Sequence, residues 1–161
     1  MVITLYNIGL VRMQVTLSTI QNVQEIVDFA ILLWRAKYTI LYFYPKDNTS
    51  GCTIEAKEFT DLIDRFAYVG AQIIGVSKDT YRSHCNFIEK HWLKITLISD
   101  PELSLHKQFD ALWEKSMYGK KYIGTLRNTY LLDTTGTIIH SRLTVSAVGH
   151  AQHVLDYIGS L

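Results

Sequence analysis

At 161 residues, with hydrophobic side chains at 48% and charged ones at 19%, the chain is long enough to bury roughly two thirds of its unfolded surface around one core. Two prolines and nine glycines exclude a low-complexity or collagen-like polypeptide, and two cysteines are too few to staple a domain of this length. Sixteen basic against fifteen acidic side chains leave a formal charge of +1 and no basic tract for a phosphate backbone, so no nucleic-acid partner is expected.

The apolar run at 29–34 is stopped by Arg35 and Lys37, well short of the roughly 20 residues that span a bilayer. The apolar start at 1–11 has no cationic residue ahead of it and no small-residue cleavage site, which reads as a cytoplasmic chain with no membrane partner. Repeats and linkers are absent, so residues 1–161 are expected to form a single domain.

Val27 to Trp34 fits a strand, a helical turn or a partner-facing edge, and its periodicity leaves all three open. Residues 39–44 (Thr-Ile-Leu-Tyr-Phe-Tyr) are β-branched and aromatic, as in a strand buried on both faces, and Pro45 ends them. Phe59, Leu62, Ile63 and Phe66 recur at helical spacing, predicting a helix of about four turns that opens near Gly51 or Cys52. Residues 72–76 predict a second strand, 77–79 supply capping oxygens, and a helix runs to about His91. A strand at 95–98, a helix opened by Asp100 and Pro101 and reaching about Phe109, and a lysine-bearing loop at 119–124 follow. The Asp-Thr-Thr-Gly turn at 133–136 joins strands at 129–132 and 137–141 into a hairpin, and a last helix covers about 146–158. This alternation predicts an α/β fold, a mainly parallel sheet covered on both faces with an antiparallel part from the hairpin.

The chemistry concentrates in 42–56, Tyr-Phe-Tyr-Pro-Lys-Asp-Asn-Thr-Ser-Gly-Cys-Thr-Ile-Glu-Ala. A loop leaving the C-terminal end of a strand here enters a helix at Cys52, and such crevices are where open α/β sheets bind ligands. Helix N–H groups and the positive end of the helix dipole favour an anion there, and the thiolate is the nucleophilic form of cysteine. The alternative is a small buried thiol at a helix start.

Pro45, Thr49 and Cys52 stand in the spacing P-x-x-x-T-x-x-C, and with this motif the chain resembles the peroxiredoxins, most of all the bacterioferritin comigratory protein or peroxiredoxin Q branch. The resemblance runs from about Ile8 and Gly9 through Val15-Thr16-Leu17 to the final helix. It includes Ile73-Ile74-Gly75-Val76-Ser77 with Asp79, residues 97–101, Tyr118-Gly119-Lys120-Lys121-Tyr122, and 127–133 with Gly136. It implies a thioredoxin-like fold with a central mixed sheet flanked by helices, no cofactor, and a thiol peroxidase that reduces hydrogen peroxide and organic hydroperoxides through a sulfenic acid on Cys52. Arg127 is implied to face the thiolate and polarise the peroxide; the Thr49 hydroxyl and the backbone N–H of Cys52 donate to its oxygens, and Pro45 shields the pocket. Glu55 either orients Arg127 or is an ordinary first-turn helix charge. Tyr44 is a candidate for the pocket, and Trp113, in Phe109-Asp110-Ala111-Leu112-Trp113-Glu114, is either pocket edge or core. Thioredoxin or another thiol is the implied reductant, and a monomer or weak homodimer the implied assembly.

Several positions depart from the family. Ser50 stands at a common proline, Glu114 replaces the glycine after Trp113, and Met13 replaces a proline near the amino end. Lys57 occupies the place where many relatives carry the resolving cysteine. Cys85 lies in the helix where others carry it, although the usual position aligns with Ile88. Cys85 also shares an apolar stripe with Tyr81, Ile88 and Trp92, so resolving and structural roles both stand. Of six histidines only His150 and His153 are spaced as a helical pair and no further ligand completes a set, so no metal is expected and surface positions are read for them. No C-x-x-C supports disulfide exchange. A non-catalytic binding or chaperone-like domain with a drifted site is the alternative from another class, against which the retention of Thr49, Cys52 and Arg127 argues.

Overall fold

A computed structural model describes residues 12–16 and 24–161, with side chains from Phe29 onward. In chain order its elements are β1 (Arg12–Thr16), β2 (Gln24–Asp28), α1 (Phe29–Leu33), β3 (Tyr38–Phe43), α2 (Ser50–Asp61) and α3 (Ile63–Tyr68). There follow β4 (Ala71–Ser77), α4 (Tyr81–His91), β5 (Thr96–Ser99) and α5 (Ser104–Gln108). The remainder is β6 (Leu112–Met117), β7 (Lys120–Thr125), β8 (Thr129–Leu132), β9 (Ile138–Arg142) and α6 (His150–Gly159).

Seven strands form one mixed sheet in the order β2-β1-β5-β4-β3-β8-β9. β3, β4 and β5 run parallel through its middle, while β8 and β9 extend it antiparallel beyond β3. The mainly apolar character of β3 follows from its two buried faces. Ile40, Tyr42 and the next residue, Tyr44, pack with Ala56 and Phe59 of α2, Phe66 of α3, Phe87 of α4 and the α6 side chains Val154, Leu155 and Ile158. Leu41 and Phe43 point the other way, to Phe29 and Leu32 of α1 and Leu105 of α5. Period-two alternation of a strand thus divides one apolar run between two cores. None of the helices among the described residues is long and apolar enough to cross a membrane.

The segment expected as a loop at 119–124 is instead β7, paired antiparallel with β6 as a two-stranded arm. Tyr118 and Gly119, at φ 51° and 72°, make the two-residue connection, the left-handed pair that matches strand twist. Nearly every side chain of the arm is exposed, so the apolar alternation that marks a half-buried strand is missing. The residues 27–34 divide between β2 and α1, and Phe29, Leu32 and Leu33 are buried in the core rather than presented at an edge. Of the amino-terminal resemblance, Ile8, Gly9 and Leu17 lie outside the described residues.

Three helix boundaries also move. α4 is capped by Thr80, whose Oγ1 accepts from the Ser83 N–H at 3.3 Å, because Ser77 and Asp79 are occupied with each other. Asp100 acts at a distance, its carboxylate accepting from the N–H groups of Ser104 (2.8 Å) and His106 (3.0 Å), so that α5 begins at Ser104. The last helix opens at His150, after Gly149 in the left-handed region at φ 75°. The expected four-turn helix is divided at Leu62 into α2 and α3.

Gly75 lies opposite Tyr42 in the parallel β3–β4 pair, and a Cβ there would stand 2.8 Å from Leu97 Cδ2 and 2.9 Å from Tyr42 Cζ. Gly75→Ala is expected to cost about 1–3 kcal/mol through overpacking, read as a lower urea midpoint at unchanged slope.

Candidate active site

β3 hands the chain to a connection held at several points. The Tyr44 N–H prolongs the ladder to Val76 O at 3.1 Å, and its hydroxyl donates to Asp47 Oδ1 at 2.7 Å. The Asp47 N–H donates to Asp79 Oδ2 at 2.9 Å. Thr49 is the N-cap of α2, but its hydroxyl donates backward to Lys46 O at 2.9 Å and gives the helix no side-chain cap. The first N–H groups of α2 are therefore left without that side-chain acceptor.

Cys52 sits in this first turn, 2% exposed, and Arg127 Nη2 lies 3.3 Å from its sulfur. Pairing of β3 with β8, with Tyr42 opposite Thr129, carries the arginine across the chain to the helix entrance. Its backbone is held on both sides, Asn128 O accepting from the Phe43 N–H at 2.8 Å and Arg127 O from the Val145 N–H at 2.9 Å. The Asn128 side chain, buried, accepts from the Thr144 N–H at 3.0 Å.

Glu55, at 0% exposure, closes the arrangement: Oε2 is ion-paired with Arg127 Nη1. Burial pushes the Glu55 carboxyl up to about 7, with the Arg127 charge acting against that rise. For Arg127, burial works against the charged form, but Glu55 and Cys52 outweigh it and hold the guanidinium above its ordinary value. Beyond Glu55 lies His150, pushed down to about 4 by burial and by the charges of Arg142, Arg127 and His153.

Pro45 and Thr49 are exposed on the connection just before the sulfur. Tyr44 is buried, with its hydroxyl committed to Asp47. Trp113 is 40% exposed on the arm, where its indole lies over Gly124 so closely that a Cβ there would be 2.1 Å from Cε2; it belongs to that hairpin and not to the core. Cys85 is half-buried and, like Cys52, a free thiol. Trp92, 85% exposed at the C-cap of α4, does not continue a buried stripe; the inward residues of that helix are His84 and Phe87.

Sequence reasoning missed the buried histidines. Asp47 Oδ2 accepts from Ser83 Oγ at 2.7 Å and lies 2.8 Å from His84 Nδ1, while His84 Nε2 is 3.2 Å from Ile98 O. This network ties the connection before Cys52 to α4. A usable signal was present, since His84 and Phe87 are spaced as one helix face. His150 had no such signal beyond its place after Gly149. No group of three or more His, Cys, Asp or Glu side chains among the described residues is arranged to hold a metal ion.

A thioredoxin-like sheet that presents one thiol at a helix entrance, with a guanidinium on its sulfur, defines a thiol-based oxidoreductase domain. The chain belongs to the AhpC/TSA family, whose profile matches residues 13–141, and within it to the peroxiredoxins. It is 42% identical over 118 residues to peroxiredoxin Bcp of Xanthomonas campestris pv. campestris, covering 73% of this chain and 74% of the relative. With peroxiredoxin Bcp of Bacillus subtilis it shares 43% identity over 123 residues, 76% of this chain and 78% of the relative. The structure of Xanthomonas campestris peroxiredoxin Q superposes with a TM-score of 0.82 at 33% identity, over 95% of this chain and 92% of that one. A further structure with the same scores concerns the alkyl peroxide reduction activity of the Xanthomonas campestris bacterioferritin comigratory protein, from trapped intermediate and ligand complexes.

Because the folded Glu55 carboxyl sits at about 7 against an ordinary 4.5, the folded state binds its proton more tightly than the unfolded chain does. Stability from this group is present at acid pH and declines as pH rises between those values. Glu55→Gln deletes that decline. The variant-minus-wild-type difference in unfolding free energy should therefore rise by about 1–3 kcal/mol across this interval, measured by urea melts at successive pH values.

Proposed function

We propose that Cys52 is the peroxidatic nucleophile of a thiol-dependent peroxidase acting on hydrogen peroxide and organic hydroperoxides. The observation that carries this is the Arg127 guanidinium 3.3 Å from the Cys52 sulfur at the unblocked start of α2. The alkyl peroxide reduction activity described for the Xanthomonas campestris relative supports the substrate class.

The chemistry follows from the groups present. The Cys52 thiolate attacks the outer peroxide oxygen, the O–O bond breaks, and the departing hydroxide or alkoxide takes a proton to leave as water or alcohol. Cys52 is left as a sulfenic acid. Arg127 and the helix N–H groups donate to the charge that develops on the oxygens. Since the Thr49 hydroxyl donates its hydrogen bond to Lys46 O, its oxygen is free to accept from the O–H of the incoming hydroperoxide, in place of the donor role expected from the sequence. Pro45, which has no N–H, borders the entrance without offering water a donor. Glu55 holds Arg127 in place.

Reduction of the sulfenic acid needs a second thiol, which attacks the sulfur and releases water as a disulfide forms. Cys85 is the proposed resolver. α2 and α4 cover the same face of the sheet, and the half-buried Cys85 stands beside Tyr81, whose phenol is pushed up by burial and by that thiol. A disulfide needs Cα atoms within about 7 Å, and the first turn of α2, lacking a side-chain cap, is the element that opens to allow it. Thioredoxin or another thiol is the proposed final donor, and a monomer or weak homodimer the working unit.

Stopped-flow peroxide reduction tests the assignment: Cys52→Ser should lose consumption, and Arg127→Ala should slow it by about 10²- to 10³-fold. Equal, negligible rates in wild type and Cys52→Ser would refute it. After one equivalent of peroxide, mass spectrometry should show loss of two hydrogens and no free thiol in wild type, and one added oxygen on Cys52 in Cys85→Ser. A persistent added oxygen in wild type would remove Cys85 as resolver.

A further inference from the structure

Behind the Arg127–Glu55 pair lies a buried polar group that the chemistry above does not use. His150, the first residue of α6, is 3% exposed, and its Nδ1 lies 3.8 Å from Glu55 Oε1. The imidazole packs against Phe59 with ring centroids 5.6 Å apart. Among the described residues neither Glu55 Oε1 nor His150 Nε2 has a hydrogen-bond partner, although both atoms are buried. An orphaned buried carboxylate oxygen is costly, and a donor brought to it recovers much of that cost.

We infer that His150 is a positioning residue for the peroxidatic site: its neutral imidazole donates from Nδ1 to Oε1 of Glu55 and so fixes the carboxylate that holds Arg127 on the Cys52 sulfur. The inference rests on the peroxidase reading for its purpose, but not for its geometry. A movement of under about 1 Å brings the two atoms within hydrogen-bond range.

The surroundings keep the imidazole uncharged. Arg127 from the segment before β8, Arg142 from β9 and His153 from α6 all disfavour a proton on it, as does the positive end of α6. Glu55 and Glu58 face this cluster from α2; Glu58 Oε1 accepts from the Gly149 N–H at 2.9 Å, and its Oε2 is buried without a partner among the described residues. A neutral imidazole carries one N–H, and the carboxylate decides which nitrogen bears it. Removing that N–H would raise the proton affinity of Glu55, and a protonated Glu55 no longer supplies the counter-charge that holds Arg127.

The test reads Glu55 directly. In reduced enzyme carrying ¹³C at glutamate carboxyls, with Glu55 assigned by the signal lost in E55Q, the titration midpoint of wild type is compared with H150L and H150Q. H150L is expected to move it upward by about one to two pH units, whereas H150Q, which keeps a side-chain N–H, leaves it within about 0.3 units. Peroxide reduction at pH 7 should fall about five- to fiftyfold in H150L, following the fraction of Glu55 left ionised, and recover as pH is raised. Should H150L fail to fold, H150F keeps a flat ring against Phe59 and replaces it. An unmoved midpoint in H150L or H150F, or H150Q moving as far as they do, would overturn the inference. Because the titration uses no peroxide, a chain inactive toward peroxide would refute the peroxidase reading separately.

Discussion

The contact between Arg127 and Cys52 is the constraint around which the rest of the molecule is arranged. Neither side chain can hold the other unless β8 lies beside β3, because β3 leads into the helix that carries the sulfur and β8 begins two residues after the arginine. The sheet therefore fixes a distance between two residues far apart in the chain. Glu55 completes the line from within the same helix as Cys52, one turn on, where burial leaves its carboxylate dependent on the guanidinium. A buried charge pair of this kind gains little net stability, and its value lies in holding one geometry.

Two buried polar groups brace this line from opposite sides. Asp47, with Tyr44, Ser83 and His84, binds the connection ahead of Cys52 to α4. His150 stands behind Glu55, at the start of α6. Between them the segment 48–55 carries Thr49 and Cys52, and its helix start is left free of a side-chain cap. Support at the flanks and open donors in the middle suit a site that holds a thiolate and meets negative charge as it develops on a bound reactant.

Much of this was legible in the residues. The apolar run of β3, the proline that ends it and the helical spacing after Cys52 placed the sulfur at a helix entrance by pattern alone. Arg127 could be reached only through resemblance, because strand pairing is a long-range outcome that no local period encodes. The β6–β7 arm was hidden because it buries almost nothing, and hydrophobic alternation is a record of burial. His84 and His150 were read as surface residues for a related reason: histidine is common in both settings, and the carboxylates beside them, Asp47 and Glu55, are far away in sequence. Asp100 misled by doing a cap's work from four residues ahead of the helix it serves.

The fixed points on either side of the motif set a leash on the sulfur. Ala56 is anchored among the apolar side chains beneath α2, and Asp47 is tied to α4. If every residue between them were pulled straight, each link would span at most about 3.5 Å, so Cys52 could travel no farther than about 14 Å from Ala56. Any thiol that meets the oxidised sulfur, whether in this chain or on an incoming protein, has to come within that radius.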